Sequence, residues 1–155
     1  MNQPVYAMLY NLWNQMIGTG GALQNAKCLP WGNNITPNLR TIYTDLGIIT
    51  VPGIVPVTIT WNAPSLEPDG SVGVLGNLCK FQITDPTQPA QILGFAIFTG
   101  PGGSGSGTGA GDTLWYADRL ANAIILSDVT QVAGYVPEIE VGIQGTNWGL
   151  GNPMQ

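Results

Sequence analysis

The sequence predicts a mainly-β chain: an antiparallel β-sandwich or barrel-like domain that carries a short N-terminal helical arm. Three observations lead there. Short runs of alternating apolar and polar residues recur, as in Val57-Thr58-Ile59-Thr60-Trp61. Turn signals separate them roughly every 8–12 residues, the rhythm of sandwiches and barrels. Helical periodicity is confined to the start of the chain. The 155 residues suit one domain, and a domain of this size buries roughly 68–70% of its unfolded surface, enough for a core. The organisation expected is a helical arm over 1–18, a β-domain over 22–143 containing a glycine-rich loop at 100–111, and a tail over 144–155.

Each element has its own warrant. Tyr6, Leu9, Tyr10, Trp13 and Ile17 recur at helical spacing, and Gly18 supplies a C-terminal stop. Their aromatic face is large for so short a helix. Two readings stand side by side: the face packs on its own domain, or the Gly18-Thr19-Gly20-Gly21 segment is a hinge that lets it swing onto a neighbouring subunit. Residues 22–29 predict a strand ending at Pro30, followed by a loop from Trp31 to Pro37. Over 39–50, Leu39, Ile42, Tyr43 and Leu46 fit a helical turn as well as a strand, and Pro52 and Pro56 stop a helix from continuing.

In 57–61 the inward face is Val57, Ile59 and Trp61. Glu67-Pro68-Asp69-Gly70 predicts a turn. Over 78–84, Cys79, Phe81 and Ile83 point inward and Lys80 and Gln82 outward, before a turn at Asp85-Pro86-Thr87. Residues 91–99 are apolar on both faces, the mark of a covered central strand. Gly100–Gly111 holds seven glycines and has the composition of a flexible loop. It joins the central strand to an alternating one over 113–120, making a hairpin. The last strand, 138–143, places Ile139, Val141 and Ile143 inward and Glu138 and Glu140 outward.

Composition narrows the chemistry. Histidine is absent, which removes the commonest general acid–base and metal-ligating side chain. Cys28 and Cys79 are the only thiols, too few for a usual zinc site, and they read as small, reduced core residues. Charged residues make up 8% of the chain, about a third of the usual ~25%. The net charge of −5 with four basic residues suits neither nucleic-acid phosphates nor an anionic membrane. No run approaches a membrane span, and no charged leader precedes Lys27, so the chain reads as cytosolic when made.

Gly100-Pro101-Gly102-Gly103-Ser104-Gly105 matches a dinucleotide fingerprint literally, but more glycine and then a strand follow, where phosphate binding needs a helix. The same-face acids Glu138 and Glu140, and Asp112 with Asp118, read as solvated charges. No acid, base and nucleophile set assembles. The candidate contact residues are therefore Tyr6, Tyr10 and Trp13 on the helix, Trp31 in a Pro-Trp-Gly loop, Trp148 in the tail, and Arg119, a cation suited to an interface.

Several spaced features together resemble small virion-associated proteins of tailed bacteriophages. They are Ile35-Thr36-Pro37, Thr60-Trp61, Asp69-Gly70, a strand from Val74 to Phe81, Pro86-Thr87, Ile92 to Phe95, and Ala117-Asp118-Arg119 ahead of a strand from Ile139 to Ile143. The resemblance spans about residues 22–143 and leaves out the helix and the Gly100–Gly111 insertion. It implies a β-rich capsid decoration ("cement") or accessory structural protein on the virion surface, without catalytic residues, metal or cofactor. Its implied partner is the major-capsid-protein shell, bound as a homo-oligomer that is by analogy a trimer. Deleting 1–18 is then expected to abolish shell binding and leave the β-domain folded. A tail- or fibre-associated protein and a glycan-binding module are the alternatives.

Overall fold

The computed structural model describes residues 6–68, 70–100 and 112–141. In chain order the elements are α1 (Tyr6–Ile17), β1 (Lys27–Trp31), a 3-10 turn (Tyr43–Asp45), β2 (Val57–Thr58), β3 (Ser65–Leu66), β4 (Val72–Leu75), β5 (Cys79–Phe81), β6 (Ala90–Thr99), β7 (Thr113–Leu126), β8 (Ala133–Tyr135) and β9 (Glu138–Val141). All strand pairs are antiparallel, and the sheets are open rather than closed into a barrel. The fold is mainly β with one short N-terminal helix. The described residues form two compact units. One is drawn from the stretch up to Gln24, from Thr60–Asn77 and from the strand beginning at Glu138; the other from Asn25–Ile59 and Leu78–Pro137. Among the described residues no helix is long and apolar enough to cross a membrane.

In the first unit α1 packs on β4 of the sheet ordered β3-β4-β9. Leu9 and Trp13, one turn apart, are buried, and the Trp13 indole N–H donates to the Val72 carbonyl at 2.9 Å. Of the two readings of the aromatic helix, the structure has the first. The expected hinge is instead a closed helix end: Gly18 N–H donates to Asn14 O at 2.9 Å and Leu23 N–H to Met16 O at 2.8 Å. A Cβ on Gly21 would lie 2.2 Å from the Gln15 carbonyl oxygen, so only glycine lets the chain turn back so tightly. Trp61, expected in the core, is only half-buried, because its N–H reaches out to the Leu23 carbonyl at 3.1 Å. The turn expected after Glu67 joins β3 to β4, with Gly70 N–H donating to Glu67 O at 3.0 Å and Gly70 at φ +88°.

The second unit is built on the sheet ordered β2-β1-β6-β7, with β6 inside it. Five consecutive residues, Gly94 to Phe98, are buried, so β6 is covered on both faces as its sequence predicts. One face is covered by the two-stranded β5–β8 sheet: Phe95 stacks on Tyr135 (centroids 4.5 Å apart) and on Phe81 (5.8 Å). The other is covered by the segment after β1, where Trp31, Leu46 and Ala96 form a buried cluster and Tyr43 meets Phe98 edge-on at 5.0 Å.

Several boundaries depart from the sequence reading. β1 starts later, because Asn25 takes a left-handed φ of 63° and keeps 22–25 in turns. It also runs through Pro30 to Trp31. The Pro30 carbonyl accepts from Ile49 N–H, on the side away from β6, and its ring nitrogen points the same way, so β6 loses no hydrogen bond. The ambiguous 39–50 segment contains one 3-10 turn, its start closed by Asp45 Oδ2 accepting from Ile42 N–H at 2.9 Å. The single strand read from Val74 to Phe81 is two, β4 and β5, in different sheets. The strand expected over 113–120 extends to Leu126. The Gly100–Gly111 loop beyond Gly100, the tail and Ile143 lie outside the described residues.

Two substitutions test this packing. Trp13→Ala is expected to cost about 3–5 kcal/mol in denaturant unfolding, the range for a truncated core aromatic. Gly94 sits under the Trp31 indole, where an added Cβ would come within 2.3 Å of the ring and 2.2 Å of the Asp118 carbonyl oxygen. Gly94→Ala should therefore lower stability by at least about 1–3 kcal/mol in the same assay.

Candidate interaction surface

The structure sorts the candidate contact residues. Trp31 is corrected outright. Expected exposed in a loop, it is the last residue of β1 and fully buried, because Gly94 opposite it leaves room for the indole to lie flat on β6. Trp13 is spent on β4, and Tyr10 is half-buried. The Tyr6 side chain and Trp148 lie outside the described residues. Arg119 is exposed and engaged within its own unit. Its guanidinium donates to the Asn34 side-chain oxygen at 2.9 Å and to the Ile35 carbonyl, tying the loop after β1 to β7. Its neighbour Asp118 points through the opposite face, where it accepts from the Tyr135 hydroxyl at 3.3 Å.

The surface that sequence reasoning missed is a groove of about 460 Å³ between the 37–41 segment and the start of β7, lined by Pro37, Asn38, Leu39, Thr41, Trp115 and Tyr116 among others. A β-bulge makes it. Ile97 pairs with Tyr116 and the next residue, Phe98, with Leu114, so Trp115 is the extra residue of β7. A bulge re-aims the side chain it carries. Here it turns the Trp115 indole outward, 43% exposed, with its N–H held by the Thr99 hydroxyl at 2.8 Å. Across the groove, the Asn38 side chain accepts from Arg40 N–H at 2.8 Å and the Thr41 hydroxyl from Asn38 N–H at 2.8 Å. This local turn throws Leu39 fully into solvent. None of these lining residues carries charge.

A second apolar area lies on the outer face of β5–β8, where Leu78, Val132 and Val136 are exposed and the Leu78 methyls lie against Gly134. Lys80, registered opposite Gly134, is the cation within it. On the first unit, α1 turns Met8 and Leu12 outward, one turn apart. Among the described residues no group of three or more histidine, cysteine or acidic side chains is placed to hold a metal.

The perturbed titrating groups lie in the interior or in turns. Burial first, and then the charge of Asp112, pushes the Tyr43 hydroxyl up from its ordinary value of 10.0. Burial likewise raises Tyr135, helped by Asp118. Asp85 is held below the usual carboxylate range by the Thr87 hydroxyl and N–H and by Gln88, which is the chemistry of the turn that the sequence announces there. The arrangement can bury, stack and hydrogen-bond.

The Tyr43 hydroxyl is buried without a hydrogen-bond partner among the described residues. Tyr43→Phe should therefore be neutral or stabilise by up to about 1 kcal/mol at pH 7. Its raised native pKa also gives a sign: the native state keeps a proton that the unfolded chain loses above pH 10. Stability should be complete below that pH and fall as pH rises through and beyond it. Thermal melts from pH 8 upward check this, and Tyr43→Phe should shallow the decline. Comparison of the chain with protein-family models, with curated proteins and with solved structures finds no match in any of the three.

Proposed function

We propose that the chain is a non-enzymatic structural protein of a virus particle, a capsid decoration protein that stabilises the major-capsid shell through protein–protein contacts. One observation carries the reading: among the described residues, three groups of exposed apolar side chains stand on ordered elements, and the groove among them carries no charge. Leu39, Trp115 and Tyr116 around the groove, the Leu78, Val132 and Val136 area, and the Met8 and Leu12 stripe are exposed at once in a chain with 8% charged residues. Exposed apolar side chains grouped in this way support a protein-contact reading, and an exposed aromatic such as Trp115 is the residue type that anchors interfaces. The resemblance to phage cement proteins, read from the sequence, agrees. It supplies the homo-oligomer, by analogy a trimer, that would repeat the contact around a symmetric shell.

The groove also favours a second reading. An exposed indole facing an amide and a hydroxyl suits a saccharide, which would place the chain on a tail or fibre that touches a host surface, or make it a glycan-binding module. Quantitative mass spectrometry of gradient-purified particles separates the readings. A decoration protein should be present at on the order of hundreds of copies per particle, as shell symmetry requires. A few dozen copies would place it on the tail or fibres, and its absence would leave the glycan-binding module. Leu39→Asp, a surface change expected to alter stability by no more than about 0.5 kcal/mol, should lower shell occupancy at least tenfold if the groove is the contact.

A further inference from the structure

The surface reading leaves unused a pair of buried thiols. Cys28 and Cys79 lie in different sheets; both are fully buried, and no disulfide joins them. Strand registers bring them together. In the β1–β6 ladder Cys28 is opposite Ile97, which puts it on the Phe95 face of the central sheet. That is the face on which Phe81 and Tyr135 stack. In β5, Cys79 is two residues from Phe81, on the same inward side, and is registered opposite Tyr135. The two thiols thus lie on the same side of the unit's core beside the aromatic stack, near enough for each to perturb the other.

We propose that Cys28 and Cys79 form a dithiol switch, which closes into an intramolecular disulfide on exposure to an oxidised low-molecular-weight disulfide and reopens in a reducing medium. Closure ties β5–β8 covalently to the central sheet. The inference does not depend on the shell-binding reading.

The pair is asymmetric. The neighbouring Cys28 holds the Cys79 thiol below its ordinary value, while Cys79 and burial push Cys28 up. Cys79 is the attacking sulfur, because it sits in the three-residue β5 between exposed Leu78 and Lys80, whereas Cys28 lies inside the four-stranded sheet between β2 and β6. With glutathione disulfide as oxidant, the Cys79 thiolate forms a bond to one glutathione sulfur and breaks the S–S bond, expelling a glutathione thiolate. That thiolate takes the Cys28 proton, and the Cys28 sulfur attacks Cys79 Sγ and expels the second glutathione as a thiolate, which takes up the proton that Cys79 released to solvent. Two protein thiols are oxidised and one glutathione disulfide is reduced to two thiols. Closing to an S–S bond of about 2.05 Å takes side-chain rotation and a small approach of the strands. The oxidant reaches Cys79 when β5–β8 opens. Only three registered pairs join β5 to β8, so that opening costs less than global unfolding.

The test uses the full chain, purified reduced and incubated with glutathione disulfide. Intact mass under denaturing conditions should fall by about 2 Da, with loss of both titratable thiols. Peptide mapping should find the Cys28–Cys79 cross-link, and Tm should rise by about 5–15 °C, returning on reduction. Cys79→Ser should leave Cys28 unreactive, whereas Cys28→Ser should accumulate a glutathione adduct on Cys79. If the serine variants do not fold, alanine at each position provides the same contrast, and the mass and Tm of the unaltered chain still decide. A stable glutathione adduct on the unaltered chain, disulfide-linked dimers, two thiols still free after incubation, or a Tm that falls on oxidation would each overturn the proposal.

Discussion

A strand that is apolar on both faces has to be covered on both faces, and β6 imposes that demand on everything in the larger unit. Its two sides are met differently. On the Phe95 side the cover is regular, a two-stranded sheet anchored by Phe81 and Tyr135 against one ring. On the Gly94 side it is irregular, a loop and a 3-10 turn held down by Trp31, Tyr43 and Leu46. Glycine at 94 lets the Trp31 indole lie directly on the sheet, and Arg119, registered opposite Gly94, ties down the start of the same loop through Asn34 and Ile35. The cluster under the loop, the tyrosine edge contact and the position of the groove follow from that one demand.

The cover also explains what remains exposed. A two-stranded sheet is thin: its inward residues Cys79 and Phe81 are buried, and its outward neighbours Leu78 and Val136 face solvent. The loop on the opposite side must turn at Asn38 and Thr41, and the turn pushes Leu39 out. A chain so poor in charge meets a second hazard in β7, a long edge strand, since exposed edges recruit other strands. β7 is irregular twice, between the partners of Ile92 and Gly94 and between those of Ile97 and Phe98. Bulges of this kind spoil an edge as a template for pairing. β7 thus offers its side chains to a partner more readily than its backbone.

How much of this is legible in the sequence depends on whether a signal is local. The doubly apolar run at 91–99, the hairpin from it to 113–120, the inward alternation of Cys79, Phe81 and Ile83 and the turn before Gly70 all follow from neighbours in the chain, and all are present. Trp31 defeats a local reading because its burial depends on a glycine 63 residues away, and Pro-Trp-Gly looks like a loop to any local rule. The groove is invisible for a related reason. Trp115 faces outward only because a bulge breaks the alternation written in the sequence, and a bulge exists only once two strands are registered. Trp13 and Trp61 follow the same principle: their indole N–H groups are satisfied by the carbonyls of Val72 and Leu23, and neither carbonyl lies nearby in sequence.

The physical character of the surface limits how a partner can be held. With four cations and nine anions in the whole chain and no charge among the groove residues considered, long-range steering contributes little to encounter. A complex formed here is held by buried area and by aromatic anchors whose orientation is set before binding, as Trp115 is by Thr99. Pre-set anchors lose less side-chain entropy on docking, and apolar contacts are insensitive to the salt that screens exposed ion pairs. Contacts of that kind fit the proposed structural role better than they fit a transient encounter, and the scarcity of charge, rather than any single side chain, is what favours it.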